Sequence, residues 1–167
     1  MKNYLYILIL LFIGITASAQ KTLDQTLKKY TKNNVPYISV TELRMLQAQE
    51  NVVIIDSREQ KEFNVSHISS AIFVGYDHFS IEEFSETITD KDTPIVVYCT
   101  LGIRSEITAD KLIKAGYTNV KNLYGGICEW KNKDYKVIDS TNTETQNIHT
   151  FNKQWSKWLK NGTVVYE

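Results

Sequence analysis

Cys99 follows the apolar run Ile95-Val96-Val97-Tyr98 and opens the stretch Cys99-Thr100-Leu101-Gly102-Ile103-Arg104-Ser105, which runs straight into a helical pattern. A thiol at the end of a buried strand, on a short loop feeding a helix N-terminus, sits where unpaired N–H groups and the helix dipole favour negative charge. The thiolate is the nucleophilic form, and such a setting lowers a thiol pKa. Gly102 frees the backbone for positive φ, so that amides between Thr100 and Ser105 can turn toward one point. Arg104 adds a fixed cation. Cys99 alone would read as a small buried hydrophobe. With Gly102 and Arg104 beside it, the reading is a nucleophilic cysteine on an anion-binding loop.

Around this loop stand residues with weaker signals. Asp56 closes the strand-like run Val52–Ile55 and reads as a structural cap that could also orient the loop. Arg58 and Glu62 are spaced i, i+4 and read as an ion pair. Cys128 is the second of two cysteines, which leaves three readings open: a Cys99–Cys128 disulfide, a resolving thiol near the active loop, or a buried helix cysteine. His67, His78 and His149 lack metal-ligand spacing, so no metal site is expected.

The elements that must position Cys99 alternate along the chain. Tyr37–Val40 reads as a short strand, and Thr41 as the N-cap of a helix to Gln49. Val52–Ile55, Ala71–Val74, Ile95–Tyr98 and Val120–Leu123 are further strands, and the continuous apolar run of Val52–Ile55 marks one buried on both faces. Between them lie a helical turn through Phe63, a helix from Ser80 to Ile88, and a helix burying Ser105, Thr108, Ala109, Leu112 and Ile113. Gly125-Gly126 turns the chain into a helix bearing Trp130. Strands separated by helices imply α/β architecture, parallel pairing and right-handed crossovers.

The 167 residues, 43% hydrophobic and 23% charged, suit one domain with a real core. Zero formal net charge and the lack of a basic stripe speak against nucleic-acid binding. Lys2, the apolar run Tyr4–Ile15 and Ala17-Ser18-Ala19 form the pattern of a signal peptide, residues 1–19. A mature chain free of the membrane, periplasmic or extracellular, is the expectation. Residues 20–36 read as a polar lead-in, 37–138 as the domain, and 139–167 as a linker followed by a helix. In that helix Phe151, Trp155, Trp158 and Leu159 share one face, packed on the domain.

Six landmarks in order complete the pattern: Asp56-Ser57-Arg58, Glu62-Phe63, His67-Ile68, Cys99-x-x-Gly102-x-Arg104-Ser105, Leu112-x-x-Ala115-Gly116-Tyr117-x-Asn119-Val120, and Leu123-x-Gly125-Gly126-x-x-x-Trp130. Together they resemble a single-domain rhodanese-type sulfurtransferase over about residues 37–138. The resemblance implies a three-layer fold, a five-stranded parallel sheet flanked by helices, with the cysteine loop at the strands' carboxyl ends. It implies that Cys99 takes sulfane sulfur from thiosulfate or a persulfide and passes it to cyanide or a thiol, such as that of a thioredoxin-like protein. Thr100 to Ser105 would bind the transferred sulfur, and no cofactor would be needed. A module that only carries sulfur or binds a partner protein is the alternative. Four residues lie between Cys99 and Arg104, against five in related phosphatases, and the smaller ring suits one sulfur atom. Thr100 stands where many thiosulfate-using members carry a basic residue, and Leu101 and Ile103 make the flank apolar.

Overall fold

A computed structural model describes residues 22–166. The signal-peptide pattern of residues 1–19 lies outside that range, and no helix within it is long and apolar enough to cross a membrane. Strands β1 (Tyr37–Ile38), β2 (Val53–Asp56), β3 (Ile72–Phe73), β4 (Ile95–Tyr98) and β5 (Val120–Leu123) form one sheet in the order β1-β5-β4-β2-β3. Every pairing is parallel. The central strand β4 sets Ile54 opposite Val96 on β2, and Val97 opposite Asn122 on β5.

The period of two in these strands divides the core. Ile54, Val96 and Tyr98 face one layer, with Leu43 of α2 (Val40–Ala48) and Ile127 and Trp130 of α6 (Gly126–Asn132). Ile55, Ile95 and Val97 face the other, with Phe84 of α4 (Ile81–Thr87) and Ala109 and Leu112 of α5 (Ile103–Lys114). Both faces are covered, which is why β4 and the first three residues of β2 read as unbroken apolar runs, whereas β5 carries Lys121 and Asn122 between its apolar ends. Two more helices among the described residues are α1 (Leu23–Tyr30) and α3 (Gln60–Val65).

Several boundaries differ from the sequence reading. Ser39, not Thr41, caps α2: its hydroxyl accepts the Glu42 amide while the Glu42 carboxylate accepts the Ser39 amide, so Val40 belongs to the helix. The lead-in contains α1, begun by a Thr22–Gln25 capping box and anchored by buried Leu27. Ile113 is 37% exposed, outside the buried stripe of α5.

The C-terminal segment departs furthest. Among the described residues 150–166 no aromatic helix forms. The stretch expected to be linker contains β7 (Glu144–Thr145), antiparallel to β6 (Val137–Ile138), and leads into β8 (Asn147–His149). β8 pairs in parallel with β9 (Thr163–Val165), and only a single 3₁₀ turn, Ser156–Trp158, lies between them. Phe151 has a left-handed backbone, φ +68°, which cannot continue a helix. Trp155, Trp158 and Leu159 still pack on the core, so the apolar stripe is real while its backbone is a strap.

Candidate active site

β4 delivers Cys99 to the carboxyl end of the sheet, and the loop turns at Gly102, the left-handed N-cap of α5 with φ +109°. A side chain at Gly102 would meet the Leu123 carbonyl oxygen at 3.2 Å, so conformation and space both favour glycine. The turn aims the Gly102 N–H at Cys99 Sγ, 3.2 Å away, and the Ser105 hydroxyl lies 3.5 Å from the same sulfur. Asn122 on β5 fastens both: its Oδ1 accepts from the Ser105 hydroxyl at 2.7 Å, and its Nδ2 donates to the Gly102 carbonyl at 2.7 Å.

Loop carbonyls are drawn off on the far side by α6. The amide of Ile127 donates to the Cys99 carbonyl (3.0 Å) and that of Cys128 to the Thr100 carbonyl (3.3 Å). With those acceptors held away, amides rather than oxygens face the thiol. Burial resists ionisation of Cys99 most strongly. The Arg104 charge and the hydrogen bonds from Ser105 and Gly102 together outweigh it, and the thiol is held below its ordinary value.

Arg104 is braced. Its two terminal nitrogens each donate to one Glu62 oxygen at 2.6 Å, and Nη2 also donates to the Thr100 hydroxyl. Glu62 is fully buried; burial raises its pKa, but the Arg104 bonds and charge, with Arg58, hold it below the usual carboxylate range. Sequence spacing paired Glu62 with Arg58, and the structure corrects this. Arg58 precedes α3, so helical i, i+4 spacing does not apply, and it forms a buried fork with Asp56 two residues back (Nη2–Oδ2 2.6 Å, Nε–Oδ1 2.9 Å). Asp56 thus anchors Arg58, which also donates to the Ser66 carbonyl, and acts as a structural support.

A cleft of about 110 Å³ opens beside the sulfur, lined by Cys99, Thr100, Leu101, Ile103, Arg104, Phe151 and Trp155. Phe151 covers the Arg104 guanidinium, 4.8 Å from ring centre to Cζ, with Tyr76 at 5.9 Å. Behind Phe151, His149 is buried; its Nδ1 accepts the Phe151 amide at 3.2 Å, and burial lowers its pKa, so the 3.8 Å approach to Glu62 is no ion pair.

Both cysteines are free thiols, so the disulfide reading is not realised. Cys128 faces the core, and burial pushes its thiol up to about 12. Among the described residues no group of three or more His, Cys, Asp or Glu is placed to hold a metal ion.

The structure therefore gathers Cys99 and Thr100–Ser105, and leaves Asp56, Arg58 and the Cys128 side chain in supporting or core positions. Sequence reasoning missed Asn122, the Glu62–Arg104 clamp, and the strap residues Phe151 and Trp155. Asn122 had a signal, a polar side chain within a buried strand; the strap had none.

The rhodanese-like domain profile matches residues 39–133. Thiosulfate sulfurtransferase GlpE of Coxiella burnetii is 35% identical over 94 residues, covering 56% of this chain and 85% of the relative. The tRNA uridine(34) hydroxylase of Listeria welshimeri is 37% identical over 106 residues, 60% of this chain but 33% of that protein. This chain thus spans about a third of that longer relative. In structure, thiosulfate sulfurtransferase from Pseudomonas aeruginosa superposes with TM-score 0.60 at 22% identity, over 77% of this chain and 24% of the other. The five-stranded parallel sheet, the cysteine loop at its carboxyl end and a family match across more than half the sequence lead to one assignment: this chain belongs to the rhodanese-like domain family.

Proposed function

We propose that this protein is a sulfurtransferase that carries sulfane sulfur on Cys99. One observation carries the reading: Cys99 Sγ, at the head of a loop with four residues before Arg104, accepts the Gly102 amide and lies beside the Ser105 hydroxyl, and its thiol is held below the ordinary value. The Cys99 thiolate attacks the outer sulfur of the donor. An Sγ–S bond forms, the donor's bond to that sulfur breaks, and the donor leaves with the electron pair, as sulfite from thiosulfate or as a thiolate from a persulfide. A cyanide or thiolate acceptor then attacks the outer sulfur, and Sγ leaves as thiolate. The free amides at the start of α5 stabilise charge on the bound sulfur, as an oxyanion hole does. Sulfurtransferase activity in the Coxiella relative supports the same chemistry.

The test is thiocyanate formation from thiosulfate and cyanide, together with intact mass after donor treatment. The wild type should gain one sulfur atom and turn over; Cys99→Ala should do neither. A wild type that gains sulfur from several donors but passes it to no acceptor would be a carrier instead. Export, supported by the pattern of residues 1–19, is part of the same proposal, and the mass of the secreted chain reads it directly.

A further inference from the structure

Two features of the cleft stand apart from the cysteine loop. Its outer wall, Phe151 and Trp155, comes from the C-terminal strap, beyond the segment that matches the family. And Arg104, the cation in its lining, has both terminal nitrogens committed to Glu62. Nearby Arg58 is likewise neutralised by Asp56. Once Cys99 ionises, these three sites carry one net negative charge, which disfavours an anionic group beside the sulfur.

The Thr100 hydroxyl, also in the lining, is engaged by Glu62 and Arg104, and what remains is apolar surface. Leu101 and Ile103 form the floor, and Phe151 and Trp155 form the wall. Phe151 is held there against its own backbone preference, at φ +68°, by the His149 acceptor and by the Thr150 amide bond to Val165 across the β8–β9 pair. Strain of this kind persists only where surrounding structure enforces it. The strap spends it on placing an aromatic ring, 45% exposed, over the mouth. The cleft, about 110 Å³, is well below the ~300 Å³ of a drug-sized pocket. That size matches a small organic group.

We propose that Phe151 and Trp155, with Leu101 and Ile103, form a specificity subsite for a small apolar organic group borne on sulfur, so that the partner of Cys99 is a small apolar thiol or its persulfide in preference to inorganic thiosulfate. This rests on Cys99 exchanging sulfur, as proposed above. Cys99 thiolate takes the outer sulfur of R–S–SH, the new Sγ–S bond replaces the S–S bond of the donor, and R–S⁻ leaves with its electrons while R stays against the aromatic wall.

The full chain is labelled at Cys99 with benzyl methanethiosulfonate and with methyl methanethiosulfonate. In each case the thiolate forms a mixed disulfide and methanesulfinate leaves with the electron pair. Rates are divided by those of the same reagents with free 2-mercaptoethanol. The wild type should favour benzyl by about tenfold or more. Phe151→Ala and Trp155→Ala should each remove most of that preference, and Phe151→Leu should keep it, which separates lost apolar surface from a lost strap. Equal corrected rates in the wild type, or a preference untouched by both alanine variants, would overturn the subsite. The sulfur-transfer reading fails separately: Cys99 would then label with benzyl preference yet accept no sulfur from thiosulfate or benzyl persulfide.

Discussion

Cys99 and Cys128 sit in neighbouring strand–loop–helix units, β4–α5 and β5–α6, each with a left-handed glycine at the helix start, Gly102 and Gly125. Their exposures are nearly equal, 2% and 1%. Their acidities diverge: burial drives Cys128 up to about 12, whereas Cys99 is held below the ordinary thiol value. The register of each cysteine against its helix accounts for this. Cys99 precedes the glycine, so the turn sends amides back toward its sulfur. Cys128 lies inside the first turn of α6; its side chain enters the core, and its amide supports the other loop by donating to the Thr100 carbonyl. Proximity to a helix start does not activate a thiol; the direction of the donors does.

Removing the activated sulfur has the largest expected effect. Cys99→Ser should lower sulfur transfer by about a thousandfold or more, since a nucleophile's loss removes the covalent route as a whole. In the wild type, iodoacetamide labelling of Cys99 should rise with pH and level off below the ordinary thiol pKa, because the thiolate is the reacting form. Cys128 should stay unlabelled up to pH 9. Equal labelling of the two would erase the contrast.

Next comes the backbone junction that joins the units. A side chain at Gly126 would collide with the Cys99 carbonyl oxygen and stand 2.7 Å from that of Thr100, both backbone atoms with little room to yield. Gly126→Ala should therefore cost about 3 kcal/mol in urea unfolding and raise the Cys99 pKa, as the carbonyls that α6 holds away swing back toward the sulfur. An unshifted labelling profile would show that α6 does not orient the loop.

Much of this was legible in the chain. The apolar runs of β2 and β4 mark the centre of a sheet buried on both faces, and Cys99, Gly102 and Arg104 mark the anionic loop. Partners distant in sequence were not. Spacing alone pairs Glu62 with Arg58, but a turn between Asp56 and α3 takes Arg58 elsewhere and leaves Glu62 to reach Arg104, 42 residues on. The stripe of Phe151, Trp155, Trp158 and Leu159 has helical spacing, and apolar periodicity alone does not reveal a left-handed residue or the pairing of β8 with β9. Local pattern specifies elements; which buried charge finds which partner is decided by topology.

Glu62→Gln sharpens the electrostatic side. The amide keeps the shape but removes the countercharge of Arg104, a largely buried pair with side-chain exposures of 15% and 1%. Stability should fall by about 2–3 kcal/mol, near the range for breaking a buried pair. The Cys99 pKa should fall further, since the Arg104 charge is no longer balanced. The pH dependence has a definite sign. Glu62 is depressed in the folded state, so its contribution is present above the ordinary carboxylate pKa and is lost as pH drops through its lower folded value. Stability curves of wild type and variant should therefore converge on acidification. A gap that persists in acid would place the pair's effect in packing.

The smallest expected effect falls on the other thiol. Cys128→Ala deletes one buried sulfur and leaves the backbone amide that holds the Thr100 carbonyl, so the geometry around Cys99 is retained. The cavity should cost about 1 kcal/mol, small against the losses on removing a Leu or Phe. Turnover with thiosulfate and with persulfide donors should stay within about twofold, because a thiol with a pKa near 12 is almost wholly protonated at neutral pH and supplies little thiolate to attack a Cys99 persulfide. A resolving role predicts the reverse: the variant would accumulate the Cys99 persulfide and slow its release. Intact mass during turnover separates the two, and accumulation would mean that the core around Cys128 opens during the cycle to let its sulfur ionise.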